Sequence, residues 1–155
     1  MITSRDRKKL ARFLASQNLM TLATATNNPW VCTVYFVTDP ELNFYFVSSP
    51  ESKHCKQIEK NNNVAVAVYD SHTKNSDKKT GIQMQGKASI VKSLKETEKY
   101  LKMWNKKNPG KENVITIENL KKPEFSSRIY RIRPNLIKFF NQRLFGDEGF
   151  RQYSL

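Results

Sequence analysis

Residues 44–69 read FYFVSSPESKHCKQIEKNNNVAVAVY, two strand-like runs with a short helix between them. Phe44 to Val47 is aromatic and β-branched, and Val64, Val66 and Val68 alternate with Ala65, Ala67 and Tyr69 at the period of a half-buried strand. Ser49-Pro50 predicts the helix start, a capping hydroxyl before a proline at the first helical position. Ile58 gives the helix an apolar contact, and Asn61-Asn62-Asn63 ends it. Ser48, Ser49, Ser52, Lys53 and His54 fall within seven residues around that start. Amides of a first helical turn lack intrahelical partners and favour negative charge, so a phosphate suits this corner. The same residues also make an ordinary helix cap, and Glu51 would repel a phosphate. On these residues alone both readings stay open.

Upstream, Thr3 or Ser4 can cap a helix whose inward face is Leu10, Phe13 and Leu14, lying as a lid on the sheet. LMTLATAT from Leu19 alternates, Asn27-Asn28-Pro29 turns, and Trp30 to Val37 supplies a second strand, so the two form a hairpin. Asp39-Pro40 marks another turn, after which the strand from Phe44 is expected to pair back on the second one.

Downstream, Asp70 to Gly81 (DSHTKNSDKKTG) has no periodicity and reads as an exposed loop carrying His72, a solvated side chain with no second histidine at a metal-ligand spacing. Ile82 to Val91 is a long strand in which Gly86 permits a bulge or a close approach. Ser93-Leu94-Lys95-Glu96 has the capping-box pattern, and Leu94, Leu101 and Trp104 line one face of the helix that follows, up to Asn108-Pro109-Gly110. VITI at Val114 suits a short strand or a small helix. Arg128 to Arg133 alternates apolar and basic residues, Pro134-Asn135 bends the chain, and Leu136 to Phe140 continues as a last strand. The arginines there guard a sheet edge against aggregation.

A chain of 155 residues with 38% hydrophobic content builds one domain with a real core. No apolar run approaches the roughly 20 residues of a membrane span, and the basic N-terminus lacks a signal-peptide pattern, so a cytoplasmic protein is expected. Cys32 and Cys55 are too few for a disulfide framework and are expected to be reduced. The formal charge of +13 attracts anions, but the lysines are scattered, and nothing resembles a nucleic-acid-binding motif. The expected fold is mostly β (α+β): a six- or seven-stranded antiparallel split barrel with peripheral helices, since strands joined by tight turns exclude a doubly wound parallel sheet. Within 1–155 as a single domain the parts are an N-terminal helix over 1–18, a barrel core over 19–91, a helix over 93–107, final strands over 128–140 and a tail over 141–155.

The order LMTLATAT, turn, strand from Trp30, FYFVSSPESKHCKQIEKNNNVAVAVY, loop and GIQMQGKASIV resembles the FMN-binding split barrel of the pyridoxamine 5'-phosphate oxidase-like superfamily, over most of Leu19 to Val91. The run Ser52, Lys53, His54, then Gln57-Ile58-Glu59 and Asn62, is similar to that family's phosphate-binding helix start. PWVCTVYFV, GIQMQG and the tail IYRIRPNLIKFFNQRLFG look closer still to a small uncharacterised branch. The resemblance implies Ser52 and Lys53 on an FMN phosphate, with His54 where family members often have a second cation. It implies Cys32, Thr33 and Val34 backbone along the isoalloxazine edge, Val47 and Ser48 on its other side, and Gln83 or Gln85 facing it, although alignment on Gly86 puts Gly81 at the oxidase's glutamine. It also implies a homodimer with flavins at the subunit interface and a small-molecule, flavin or nicotinamide redox partner. Cys32 and Val37 stand where the oxidase carries an arginine and a lysine, and NQRLFGDEGFRQYSL lacks its C-terminal tryptophan and arginine signature. An FMN-dependent oxidoreductase with another substrate is therefore expected, rather than pyridoxamine 5'-phosphate oxidation. The alternatives are a non-enzymatic barrel binding nucleic acid or another polyanion, and a haem protein using His54 or His72.

Overall fold

Alternation of apolar and polar residues sets which strand faces turn inward. The computed structural model describes residues 2–110, 115–122 and 125–155, and places the elements in the order α1 (Ser4–Ser16), β1 (Leu19–Ala25), β2 (Pro29–Tyr35), β3 (Val37–Thr38), β4 (Phe44–Ser48), α2 (Lys53–Lys60), β5 (Asn63–Tyr69), β6 (Thr80–Ile90), α3 (Leu94–Lys107), α4 (Ile117–Lys121), β7 (Arg128–Asn141), α5 (Gln142–Phe145) and β8 (Phe150–Ser154). Met20 and Leu22 of β1, the three valines of β5, and Ile82, Met84 and Ala88 of β6 are buried. Their neighbours Thr21, Ala23, Ala65, Ala67, Gln83 and Gln85 occupy the opposite face, as the two-residue period requires.

The sheet runs β2-β1-β5-β6-β7-β4-β3, with β8 added on β7, and every pairing is antiparallel. Its two ends, β2 and the β4–β3 pair, come back into contact without a hydrogen-bonded ladder, so the barrel is split between β2 and β4. Among the described residues the sheet has eight strands, where six or seven are expected. The expected second strand breaks at Phe36, whose N–H donates to the Asn18 carbonyl, and its end forms β3. β4 pairs with that end, Val37 opposite Tyr45, and on its other edge with β7, and forms no ladder with β2.

Arg128 to Asn141 is one strand rather than two. One edge of β7 pairs with β6 throughout, while the other pairs with β4 through Arg128–Ile132 and with β8 through Leu136–Phe140. Pro134 lies at that changeover, where a missing N–H removes no bond of the second ladder. The register shifts where Gly86 meets Pro134, leaving Asn135 as the extra residue of a bulge. A β-carbon on Gly86 would lie 2.5 Å from the Arg133 carbonyl oxygen, so the close approach expected there is real. The tail also gains structure: Gly149 has φ +71, and Asn141 N–H donates to its carbonyl as the chain turns into β8.

Helices close the barrel. Thr3 caps α1 by accepting from the Asp6 N–H at 3.1 Å, and Leu10 and Leu14 enter the main core with Phe13 beside them. α3 covers the other side, where Tyr45, Tyr100 and Ile129 form a second cluster with Trp104 packed against it. The expected capping box at Ser93 is absent because Glu96 instead accepts from Arg131 at 2.5 Å and from the Tyr45 hydroxyl at 3.2 Å. Val114 lies outside the described residues, and Ile117–Lys121 is a short helix capped by Thr116. No described helix is long and apolar enough to cross a membrane.

Candidate functional site

β4 ends at Ser48 beside the split, and the chain turns through Ser49 to Ser52 before α2 begins. The helix starts three residues later than Ser49-Pro50 predicts, with Ser52 as its N-cap. Ser52 does not cap with its side chain: its hydroxyl donates to the Ser49 carbonyl at 2.7 Å and lies 3.2 Å from His54 Nε2. Ser48 Oγ is 2.7 Å from the same nitrogen. Two hydroxyls and an imidazole therefore converge at a helix start that no side chain closes, the arrangement an anion needs. Glu51 does not oppose it, because its carboxylate is turned to Lys56 at 2.7 Å on the exposed side of the helix.

α2 is fixed in place by polar contacts as well as by Cys55 and Ile58, which enter the core. Gln57 is buried, accepting from the Thr24 hydroxyl at 2.6 Å and donating to the Asn28 carbonyl at 2.9 Å. Asn61 donates to the Ala25 carbonyl at 3.0 Å. These bonds tie the helix to β1 and to the β1–β2 turn, so the His54 corner is held by the barrel rather than by a free loop.

His54 is only 8% exposed, yet its pKa is pushed up to about 9. A hydrogen bond with Cys32 is the main cause and one with Cys55 adds to it, outweighing burial, which acts the other way. Burial pushes the Cys55 thiol up, and hydrogen bonds with His54, Ser52, Tyr130 and Ser48 more than offset this, holding it below the ordinary thiol value. The corner thus contains an imidazole that favours its proton and two thiols beside it.

Ser48, Ser52, His54 and Cys32 are brought together. Lys53 lies at the rim, its Nζ 4.0 Å above the Trp30 ring centroid. Cys32 and Val34 turn toward the core and Thr33 outward, and β2 offers the split an edge free of any ladder. Val47 faces the α3 cluster, on the side of β4 opposite Ser48. Gln83 and Gln85 lie on the outer face of the sheet, where one groove of about 380 Å³ runs over Ala23, Ala65, Gln83, Gln85 and Leu136 and another of about 510 Å³ over Tyr69, Gly81, Gln83 and Phe140. Within one chain the two glutamines do not meet the His54 corner. His72 is 96% exposed in its side chain and faces Asp70 in the β5–β6 loop. Among the described residues no group of three or more His, Cys, Asp or Glu is placed to hold a metal ion.

Arg128 is a residue that sequence reading assigned to edge protection alone. It pairs in register with Ser48, and like Tyr130, two residues on, it shares a face with Ser48 and Phe46. Trp30 is likewise brought in by folding, since the partners on β2 and β7 lie far along the chain, whereas Cys55 follows His54 directly in sequence.

The class of protein defined here is a split antiparallel barrel with a hydroxyl- and cation-bearing helix start at its seam. A sequence profile described as pyridoxamine 5'-phosphate oxidase matches residues 7–140, and the chain belongs to that family. No curated protein matches the sequence. Among solved structures, the fold is similar to the haem storage protein HutZ of Vibrio cholerae (17% identity, TM-score 0.65, 82% of this chain and 88% of that one). It is also similar to a haem-binding protein of Mycobacterium smegmatis (15%, 0.74, 99% and 60%) and to a conserved hypothetical protein of Mycobacterium tuberculosis (18%, 0.70, 94% and 89%). At these identities the likeness is one of fold.

Proposed function

We propose that this protein binds FMN and acts as an oxidoreductase on a small substrate, as a homodimer with the flavin at the subunit interface. The observation that carries the reading is the convergence of Ser48 and Ser52 on His54 at the uncapped start of α2, beside the unpaired edge of β2. In this reading the phosphate lies against both hydroxyls, the His54 imidazole and the first-turn amides. Lys53 swings to it from Trp30, and Arg128 is a further cation within the same strand register. The ring runs along the Cys32–Val34 backbone, with Ser48 across the split and Val47 turned to the α3 cluster. Gln83 and Gln85 complete the site from the outer face of a second copy, since they lie away from the corner of their own chain.

FMN supplies the redox chemistry when bound. The chain's own residues bind, orient and exclude water. His54, carrying its proton at neutral pH, donates a charged hydrogen bond to the phosphate, worth roughly 1.5 to 3 kcal/mol.

The test is the absorbance of the purified protein and titration of the stripped protein with FMN and riboflavin. A flavin spectrum is expected, and Lys53→Ala should weaken FMN binding about tenfold while leaving riboflavin nearly unchanged. A protein that takes up neither flavin, or a variant that loses both equally, overturns the reading. The haem-binding neighbours favour one alternative occupant, for which His54 and His72 are the candidate axial ligands. His54 Nε2 is already engaged by two hydroxyls, whereas His72 faces only Asp70 and lies in an exposed loop. A Soret band on haem titration that disappears with His54→Ala or His72→Ala selects haem, and binding of nucleic acid that falls steeply with salt selects a polyanion module.

A further inference from the structure

Three strands set an aromatic slot on the outer face of the sheet. Tyr69 of β5 lies opposite Gly81 of β6, and Gly81 lies opposite Phe140 of β7, so the three share one face with the glycine in the middle. Two strand spacings of about 4.8 Å separate the flanking residues, room for one planar ring at about 3.5 to 4 Å from each. A cavity of about 510 Å³ opens there, and Gly81 leaves bare backbone as its floor. Tyr69 is 61% exposed. Phe140 is a fixed wall, packed so closely on Gly149 that a β-carbon there would lie 2.7 Å from its ring.

The slot runs into a second cavity of about 540 Å³ between α1, the β5–β6 loop and α5, and Asp70, Thr73 and Thr80 line both. Lys9 and Arg12 of α1, Lys78 of the loop and Arg143 of α5 stand on its walls, so folding gathers cations that are scattered in the sequence. The side chains of Lys9, Arg12 and Arg143 have no hydrogen bond or ion pair among the described residues, and Lys78 lies 3.6 Å from Asp147. The carboxylates of this cavity are engaged by their own loop. Asp70 Oδ1 accepts from the His72 N–H at 2.9 Å, with His72 Nδ1 at 3.4 Å, and Asp77 Oδ2 accepts from the Lys74 N–H at 2.8 Å. The walls are tied in place. Gln142 Oε1 accepts from the Lys79 N–H at 2.9 Å, the Gln142 N–H donates to the Lys79 carbonyl at 3.1 Å, and Leu10 and Leu14 anchor α1 in the core. Unpaired cations on different walls of one concavity attract an anion of more than one charge, and arginine grips phosphate through paired N–H donors.

We propose that these adjoining cavities bind a nucleoside diphosphate, its base stacked between Tyr69 and Phe140 above Gly81 and its phosphates held by Lys9, Arg12 and Arg143. A slot one ring wide suits a flat base better than an acyl chain, and a simple anion would leave the slot unfilled. With the flavin reading the site shares Gln83, which borders the slot, and no residue of the His54 corner. It therefore stands whether or not FMN binds.

The experiment titrates the full chain, free of flavin, with ADP, adenosine and pyrophosphate by calorimetry. ADP should bind saturably at one site per chain, and adenosine and pyrophosphate should each bind at least about tenfold more weakly, since each fills one cavity. Arg12→Ala and Arg143→Ala should each weaken ADP and pyrophosphate about tenfold and leave adenosine unchanged. Tyr69→Ala should weaken ADP and adenosine and leave pyrophosphate unchanged. All three residues are exposed, so the variants should melt with the native chain, and Arg12→Gln, Arg143→Gln and Tyr69→Leu replace any that melts early. Absence of saturable ADP binding, or ADP affinity that survives the Arg12 and Arg143 changes together, overturns the proposal. So does affinity indifferent to Tyr69→Ala, the mark of general charge attraction. Lys53→Ala keeps the two readings apart. It should leave ADP affinity unchanged, and a parallel loss of ADP and FMN would put ADP in the His54 corner and overturn the proposal. A chain that binds ADP as described and takes up no FMN counts against the flavin reading alone.

Discussion

The Ser48 hydroxyl lies 2.7 Å from His54 Nε2, joining the last residue of β4 to the first turn of α2. A side chain at a strand end is thereby fixed to a ring whose charge is set by thiols from two other positions. Electrostatics and backbone geometry meet at one atom, which makes His54 the residue whose titration reports on the whole corner.

His54 should titrate near pH 9, well above its ordinary 6.5, because Cys32 and then Cys55 favour its protonated form. A raised folded-state pKa means that folding takes up a proton. The stability this contributes is complete below about pH 6.5 and is lost as pH rises through about 9. NMR titration of the His54 ring protons should show the high value in the native chain and a fall toward 6.5 in Cys32→Ser, with a smaller fall in Cys55→Ser. A ring that titrates at the same pH in the native chain and both variants would remove the thiols as the cause.

Gly86→Ala should destabilise the barrel. The added β-carbon meets the Arg133 carbonyl oxygen at 2.5 Å and the Ile132 side chain at 3.0 Å, and the first of these is backbone that cannot rotate aside. Overpacking of this kind costs about 1 to 3 kcal/mol, or roughly 2 to 4 °C in Tm per kcal/mol for a chain of this size. Thermal melts of the two proteins side by side measure it. An unshifted melt would mean that the bulge at Asn135 absorbs the methyl group.

Gly86 also marks how far the sequence could be read. Its place in an alternating run pointed to a bulge or close approach, and local pattern was enough for β1, β5, β6 and α1, whose faces follow from a period of two or of three and four. What local pattern could not supply was the partner across a long sequence gap. Nothing near Pro134 indicates that β7 continues through it, because the reason lies in a change of neighbour from β4 to β8. The Ser48–Ser52–His54 corner was visible because its members are close in sequence, whereas Cys32, Trp30 and Arg128 reach it only through the fold. Glu96 was misassigned as a cap for the same reason, since its stronger partner Arg131 is 35 residues away.

Tyr153→Phe should weaken the lock between the two chain ends. The Tyr153 hydroxyl donates to Asp6 Oδ2 at 2.6 Å and Arg151 Nη1 to the same oxygen at 3.2 Å, tying β8 to α1. The Tyr153 hydrogen bond, helped by Thr3 and Arg151 and opposed by burial, holds the Asp6 carboxyl below 3.8. A depressed folded-state pKa contributes stability above 3.8 that is lost as pH falls through the lower folded value. Loss of one charged hydrogen bond costs about 1.5 to 3 kcal/mol. Urea midpoints should therefore separate the variant from the native chain at pH 7 and converge in strong acid, and a gap that persists undiminished there would point to packing instead of charge.

Leu42 sets two demands against each other, and the outcome can be ordered in advance. It has φ 66, a left-handed conformation that costs a branched side chain about 1 to 2 kcal/mol, yet its side chain is fully buried in the main core. Asp39 holds it there: its carbonyl accepts from the Leu42 N–H at 3.0 Å, and its carboxylate accepts from Asn43 N–H at 2.8 Å, Lys99 at 2.8 Å and the Tyr45 hydroxyl at 3.1 Å. Truncating a buried leucine to alanine costs about 2 to 5 kcal/mol, more than the strain that could be relieved, so both Leu42→Ala and Leu42→Gly should lose stability. Their order should be the reverse of the usual one. Alanine keeps the left-handed strain while forfeiting the burial, and glycine forfeits the burial but sheds the strain, so the glycine variant should unfold at higher urea than the alanine variant. The usual order, with alanine the more stable, would show that the turn relaxes out of the left-handed region once the leucine is gone.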